Sequence, residues 1–210
     1  MLTAALSTLA LASALLTVRA EHAGARLQVY VFKPLTTALI VLVALQGENV
    51  SAGAYGPLVV AGLVCSLAGD VFLMLPRDRF VAGLVSFLFA HLFYIVAFAS
   101  DGGRDLSAWA GAALLVYGAV MLRLLWSRLG SLRAPVLVYV GVILLMAWLA
   151  LGRWLGAGPA GGGLAAAGAV LFAASDSALA WNRFMGEFRG AQAVILGTYF
   201  PAQLLIALST

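Results

Sequence analysis

Charge is what this chain has least of. Asp, Glu, Lys and Arg make up 10% of its 210 residues, and 64% are hydrophobic. A soluble domain carries about 25% charged residues. With a mean hydropathy of +1.06, the chain reads as an integral membrane protein whose solvent is the bilayer. So few polar residues leave no room for a soluble domain, and residues 1–210 read as one transmembrane domain. Cysteine is nearly absent too: Cys65 alone cannot close an internal disulfide. No cluster of His and Cys is present to hold a structural zinc, and no metal or other cofactor is expected. The net charge of +4 comes mostly from arginines in short loops. It reports orientation in a membrane rather than nucleic-acid binding. Strand-like alternation is also missing, so an all-α bundle is the class that fits.

What is present is a series of apolar runs. A spanning helix needs roughly 20 apolar residues. Eight segments qualify, at 2–18, 27–45, 54–75, 80–99, 106–122, 134–151, 163–180 and 191–208. The first lacks a basic leader and a clear cleavage site, and reads as a retained helix rather than a signal peptide. Connections 47–53, 100–105 and 152–162 are rich in Gly and small residues, whereas 76–79, 123–133 and 181–189 are rich in arginine. The loops after segments 1, 3, 5 and 7 hold Arg19, Arg26, Arg77, Arg79, Arg123, Arg128, Arg133, Arg183 and Arg189. Those on the other side hold Arg104 and Arg153. The positive-inside rule makes the first group cytoplasmic, and eight spans then put both termini outside. Segments 3–4 and 7–8 also resemble each other. Each pair has an aspartate near its inner turn, Asp70 or Asp176. An Arg-Phe follows, at Arg79-Phe80 or Arg183-Phe184, and then mid-span polar residues. The pairs run in one direction, as in a parallel repeat of four plus four helices.

A charge at the bilayer centre costs about 3 kcal/mol or more, so ionisable residues within spans face the bundle interior and usually serve a function. Asp70 lies about five residues, roughly 8 Å, from the inner end of segment 3, and Asp176 lies similarly in segment 7. His91, Tyr94, Tyr199 and Gln203 fall deeper, and Lys33 sits near the inner end of segment 2, just before Pro34. Each has a bland reading. Lys33 could snorkel to the headgroups. Asp70 could pair with a loop arginine, Asp176 could bond to backbone, and His91 could be a satisfied interior imidazole. Glu48, Asp78, Asp101, Asp105, Glu187 and His22 read as solvated loop residues. Trp109, Trp126, Trp148, Trp154 and Trp181 read as an interfacial belt. Taken together, two buried carboxylates suggest a proton donor and an anion, with imidazole and phenols as relay or hydrogen-bond partners. No Gly-x-Ser-x-Gly nucleophile motif is present. An intramembrane aspartyl protease is excluded by Ala68 in place of glycine and by Gln203 in Pro-Ala-Gln.

The segments VFKPLTTALI, CSLAGDVFLML, GLVSFLFAHLFYIVAF, LFAASDSALAWNRF and TYFPAQLLIAL resemble the YhhN family of membrane proteins, which includes the lysoplasmalogenases. The resemblance covers nearly the whole chain in the same motif order. It implies a multi-pass protein of the cell membrane, the inner one in bacteria, acting on a lysophospholipid. The reaction implied is hydrolysis of a vinyl ether to a fatty aldehyde and a glycerophospho-ethanolamine or -choline, without a metal. Site residues implied are Asp70, Asp176 and His91 for catalysis, and Lys33, Tyr94, Tyr199, Gln203 and Ser175 for substrate. Lys33, Arg79 and Arg183 compete for the substrate phosphate. A rival from another class is a proton-coupled lipid or small-solute transporter using Asp70, Asp176 and His91. Cavities on both faces would favour it, and a pocket with one opening would favour the enzyme.

Overall fold

The computed structural model describes residues 1–47, 50, 53–76, 78–100, 105–156 and 161–210. Glu48, Arg77, Asp101 and Arg104 lie outside the described residues. The apolar runs form eight helices: α1 (Leu2–His22), α2 (Arg26–Ala44), α3 (Tyr55–Met74), α4 (Phe80–Ser100), α5 (Ala108–Leu125), α6 (Arg133–Leu155), α7 (Gly162–Phe184) and α8 (Ala191–Ala207). Two short 3₁₀ turns join α5 to α6. No strand occurs among the described residues. Among the described residues seven helices are long and apolar enough to cross a membrane; α8 has 17 residues. It still runs the depth of the bundle. It starts beside the arginine-rich loop, and just past its end Thr210 donates to Ala44 O at the end of α2, 3.1 Å away. Ser209 bonds there to Tyr55 at the start of α3.

Packing order repeats with a step of four helices. α1 packs on α2 as α5 packs on α6, α2 on α3 as α6 on α7, and α3 on α4 as α7 on α8. The packing of α4 on α6 has its counterpart in that of α8 on α2. Small residues permit the close approach of α3 and α4. A Cβ at Gly62 would overlap the Tyr94 ring, and one at Gly69 would overlap Phe87. Pro34 in α2 and Pro201 in α8 each remove a helix donor and crowd the preceding turn. Both stand next to polar interior residues.

Arg153 corrects its sequence reading. It is not in an outer loop but in the last turn of α6, with no exposed surface. Its guanidinium lies 4.1 Å over the Tyr55 ring centroid, Nη1 donates to Tyr55 Oη (3.1 Å), and Tyr55 is bonded to Ser209 at 2.6 Å. Arginine can be buried this way because its flat cation stacks on an aromatic face while its N–H groups find acceptors. Trp148 also departs from the belt: it is half-buried and donates to Ser107 O ahead of α5. Trp109, Trp126, Trp154 and Trp181 are exposed near helix ends.

Candidate active site

Two carboxylates occupy the interior in two separate polar clusters. Asp70, on α3, is fully buried. Thr37 donates to its Oδ2 at 2.6 Å and Tyr199 at 2.8 Å, and Lys33 Nζ is 3.8 Å from Oδ1. Lys33 and Thr37 reach it together because residues four apart share a helix face. Tyr199 and Gln203 repeat the spacing on α8. Gln203 Nε2 donates to Tyr199 Oη (3.3 Å), and its Oε1 accepts from Tyr94 (2.7 Å). The result is a hydrogen-bonded chain from Tyr94 on α4 through Gln203 and Tyr199 to Asp70. Hydrogen bonds to a buried anion are strong because little else screens it.

Asp176, on α7, forms the second cluster. Tyr139 of α6 donates to Oδ2 at 2.5 Å. His91 of α4 places Nε2 3.9 Å from the same oxygen, too far for a direct hydrogen bond. Both His91 ring nitrogens are buried without a hydrogen-bond partner. A polar gap of this size suits a bridging water or a substrate oxygen. Phe172 stands between the clusters, its ring centroid 4.7 Å from His91 and 5.5 Å from Tyr199. The four-step repeat is visible here too. Each aspartate accepts from the helix before its own (α2 or α6) and has a partner on the helix half a bundle away (α8 or α4).

Two cavities reach these clusters. A narrow apolar slot of about 60 Å³ lies among α4, α5, α6 and α7, with Asp176 and Tyr139 on its wall. Tyr117 and Ser177, bonded to each other at 2.5 Å, link α5 to α7 across it. A polar basin of about 590 Å³ opens among the arginine-rich loops, lined by Lys33, Arg79 and Arg183 and by Glu21, Asp78 and Glu187. Phe80 and Leu179 line both, so the basin and the slot adjoin there. Asp176 lies one helical turn beyond Leu179, roughly 4.5 Å along the axis. At the mouth Arg183 is already engaged. It bonds to Asp78 at 2.6 Å and lies 4.7 Å over the Phe80 ring centroid. That hydrogen bond, with a second from Phe80 N–H, holds the Asp78 carboxyl below its usual range. Asp78 is exposed, as its loop position suggests, but it is paired. Lys33 is therefore the basin cation that also touches an interior carboxylate.

Of the residues singled out from sequence, Lys33, Asp70, Tyr94, Tyr199 and Gln203 share one cluster, and His91 and Asp176 share the other. Ser175 points elsewhere, donating to Ile195 O and tying α7 to α8. Sequence reasoning missed Thr37 and Tyr139. Thr37 was legible from its place one turn after Lys33. Tyr139 sits in an unbroken apolar run, and nothing local marks it.

The YhhN family model matches residues 28–210. The chain is 36% identical over 197 residues to the Escherichia coli O157:H7 protein named "Uncharacterized membrane protein YhhN", covering 94% of each. It is 36% identical over 159 residues to "Lysoplasmalogenase TMEM86B" of Homo sapiens, covering 75% of this chain and 65% of that protein. It is also 36% identical over 156 residues to human "Lysoplasmalogenase TMEM86A", with 72% and 64% covered. No solved structure matches.

Proposed function

The chain belongs to the YhhN family, and on that premise we propose that it hydrolyses the vinyl ether bond of lysoplasmalogens to a fatty aldehyde and a glycerophospho-ethanolamine or -choline. The observation that carries this reading is the meeting of a polar basin, lined by charges of both signs, with an apolar slot at Phe80 and Leu179, one turn from Asp176. A single-chain lipid has the same division. Its phosphate belongs with the polar basin, its tail with the apolar side and its alkenyl bond at the boundary, and the slot, about 60 Å³ as it stands, must widen to take the chain. Lys33, at the basin wall, is the group for the phosphate.

The chemistry follows from the substrate. A proton added to the outer alkenyl carbon gives an oxocarbenium ion. Water adds to the carbon bearing oxygen, and the hemiacetal collapses to aldehyde and alcohol. Asp176 is the proton donor, since it alone of the two carboxyls lines the slot, with a side chain 13% exposed against 1% for Asp70. Tyr139 fixes its orientation by bonding to Oδ2, and leaves Oδ1 for the substrate. His91, with two unpartnered nitrogens beside Asp176, holds the attacking water. Asp70 is the anion, because Thr37, Tyr199 and Lys33 all converge on it as donors or cation. It is the electrostatic counterpart of the cation formed in the reaction.

The transporter reading is less favoured. The polar basin lies at the arginine-rich end, and at the opposite end Arg153, Tyr55 and Ser209 fill the interior. The decisive assay measures aldehyde from a lysoplasmalogen with purified protein. In that assay His91→Gln should slow turnover by roughly tenfold, less than loss of the acid, because water can still enter. Deuterium oxide should slow wild type, since proton transfer to carbon limits the rate. A His91→Gln loss as large as that of an aspartate variant would make His91 the acid or base itself.

Orientation is proposed from the arginines: the basin end is cytoplasmic and both termini are outside. Removing Arg153 from the loop count strengthens the asymmetry. Reporter fusions after α1, α3, α5 and α7 should read as cytoplasmic, and any two reading otherwise would reverse the orientation.

A further inference from the structure

At about 60 Å³ the slot has room for about five waters, not for a hydrocarbon tail. Along α7 its wall ends at Ala173, three residues or roughly 4.5 Å beyond Asp176. A lipid reacting at Asp176 must therefore keep most of its tail elsewhere. The α5 wall is the one least tied to the bundle. α5 packs on α6 and adds no buried residue to the main hydrophobic core. Of its residues only Ala110, Gly118 and Leu125 are buried, and Leu125 belongs to a separate small cluster with Leu129 and Val136. Segments with few buried apolar contacts are those that open locally. Across to α7, α5 is tied by a hydrogen bond between Tyr117 Oη and Ser177 Oγ, 2.5 Å apart. Ser177 donates its own proton to Ala173 O (2.8 Å), so Tyr117 is the donor. Ser177 is the residue next to Asp176. Tyr117 is partly exposed, and Leu115, Val116 and Val120 beside it are exposed and apolar. Tyr117 lies eight residues, roughly 12 Å, before the end of α5. That depth falls within the hydrocarbon of one leaflet, about 15 Å. The seam between α5 and α7 thus faces lipid tails, one residue from the proposed acid.

We infer that the lipid substrate reaches Asp176 sideways from the bilayer, through the seam between α5 and α7 that the Tyr117–Ser177 hydrogen bond closes, and leaves most of its tail in the bilayer. This rests on the proposed function in taking Asp176 as the acid. Nothing is lost by leaving the tail outside. A tail that moves from lipid into a protein slot exchanges one apolar surrounding for another. Opening costs little, because a hydrogen bond between membrane helices is a weak tie. Ser177 stays satisfied by Ala173 O when Tyr117 moves away. The small cluster at Leu125 keeps the inner end of α5 in place as its middle swings out. Binding then draws on the open form, so whatever favours that form tightens apparent affinity.

The test separates binding from hydrolysis. The probe is a saturated 1-O-alkyl lysophosphatidylethanolamine, which lacks the vinyl bond, and its Kd is measured on the full chain in nanodiscs. Tyr117→Phe removes the tie and should tighten binding by about threefold, the factor equivalent to an average hydrogen bond between membrane helices. For the opposite effect, Tyr117→Cys and Ser177→Cys are combined with Cys65→Ser, and a short bis-methanethiosulfonate joins the two new thiols. Locked in this way, the protein should bind at least about tenfold more weakly, since the open form is removed, and reductant should restore binding. A second probe carries a pyrene at the far end of its tail. It should bind within about threefold of the plain lipid, because that end stays in the bilayer, whereas a pocket that enclosed the tail would reject it. Circular dichroism and size exclusion confirm that each variant scored is folded, and the conservative Tyr117→Phe keeps the test available if the triple variant does not fold. Equal binding by locked and reduced protein overturns the portal. So does rejection of the pyrene-tailed lipid, or a Tyr117→Phe affinity no tighter than wild type. If binding responds as expected but no lysoplasmalogen yields aldehyde, the portal stands and the proposed hydrolysis falls. If locked and reduced protein release aldehyde equally well, the hydrolysis stands and the portal falls.

Discussion

Asp176→Asn should reduce aldehyde release at least about a hundredfold, the lower bound for a well-placed general acid, while leaving the protein folded. Asparagine keeps the shape of the side chain and still accepts a hydrogen bond from Tyr139, which sits 2.5 Å from the native carboxylate. What it cannot do is donate a proton to carbon. The loss should appear in kcat with little change in KM, because the basin and the remainder of the slot are untouched. Asp70→Asn should produce a loss of similar order by removing the anion. If acid and anion act as a unit, Asp70→Asn combined with Asp176→Asn should cost little more than either alone. Phe172 separates the two clusters, so this comparison also tests whether they cooperate through it. Additive losses would mean two independent contributions. Turnover near wild type in a folded Asp176→Asn protein would refute the acid assignment.

Lys33→Met is expected to be the most destabilising single change near the site, by about 3–5 kcal/mol, the cost of leaving a buried charge without its partner. Asp70 is buried on α3, and Thr37 and Tyr199 supply dipoles but no positive charge, so without Lys33 it stays a costly anion or takes up a proton. Lys33 differs, because it also lines the basin. If Asp70 is removed instead, the ammonium can swing to water on its flexible stem. Asp70→Asn should therefore cost less than Lys33→Met, and adding Asp70→Asn to Lys33→Met should recover most of the lost stability. Denaturant unfolding in detergent, followed by tryptophan fluorescence, gives the three values. A cost below about 1 kcal/mol for Lys33→Met would match a surface pair and return Lys33 to a simple snorkelling role.

Both predictions concern residues that stood out because they are polar where lipid solvation forbids it. That criterion identified Asp70, His91, Tyr94, Asp176, Tyr199 and Gln203 from the chain alone. It failed in informative ways elsewhere. Arg153 reads from sequence as a loop residue because the apolar run before it ends at 151. Tyr55 and Ser209 make that position tolerable, and they lie far away in sequence. Ser175 entered the site with Asp176 through the family resemblance. Neighbours on a helix point about 100° apart, so one faces the slot and the other ties α7 to α8.

The sequence by itself determined the number of helices among the described residues, their limits to within a few residues and the end of the bundle that carries the arginines. These follow from local quantities: the length of each apolar run, the cost of exposing backbone polar groups to lipid, and loop charge. It also determined that two carboxylates are interior. Tertiary structure alone decided that they occupy separate clusters with Phe172 between them, and that Tyr139 and Thr37 are their partners. It also decided that, of the two carboxylates, only Asp176 meets the apolar slot. Those facts depend on helix rotation and on contacts between residues up to 129 positions apart, as between Tyr199 and Asp70. In a bundle that is apolar on nearly every face, hydrophobic periodicity does not say which face turns inward. Helix rotation is set instead by the fit of small against large residues and by polar groups finding one another.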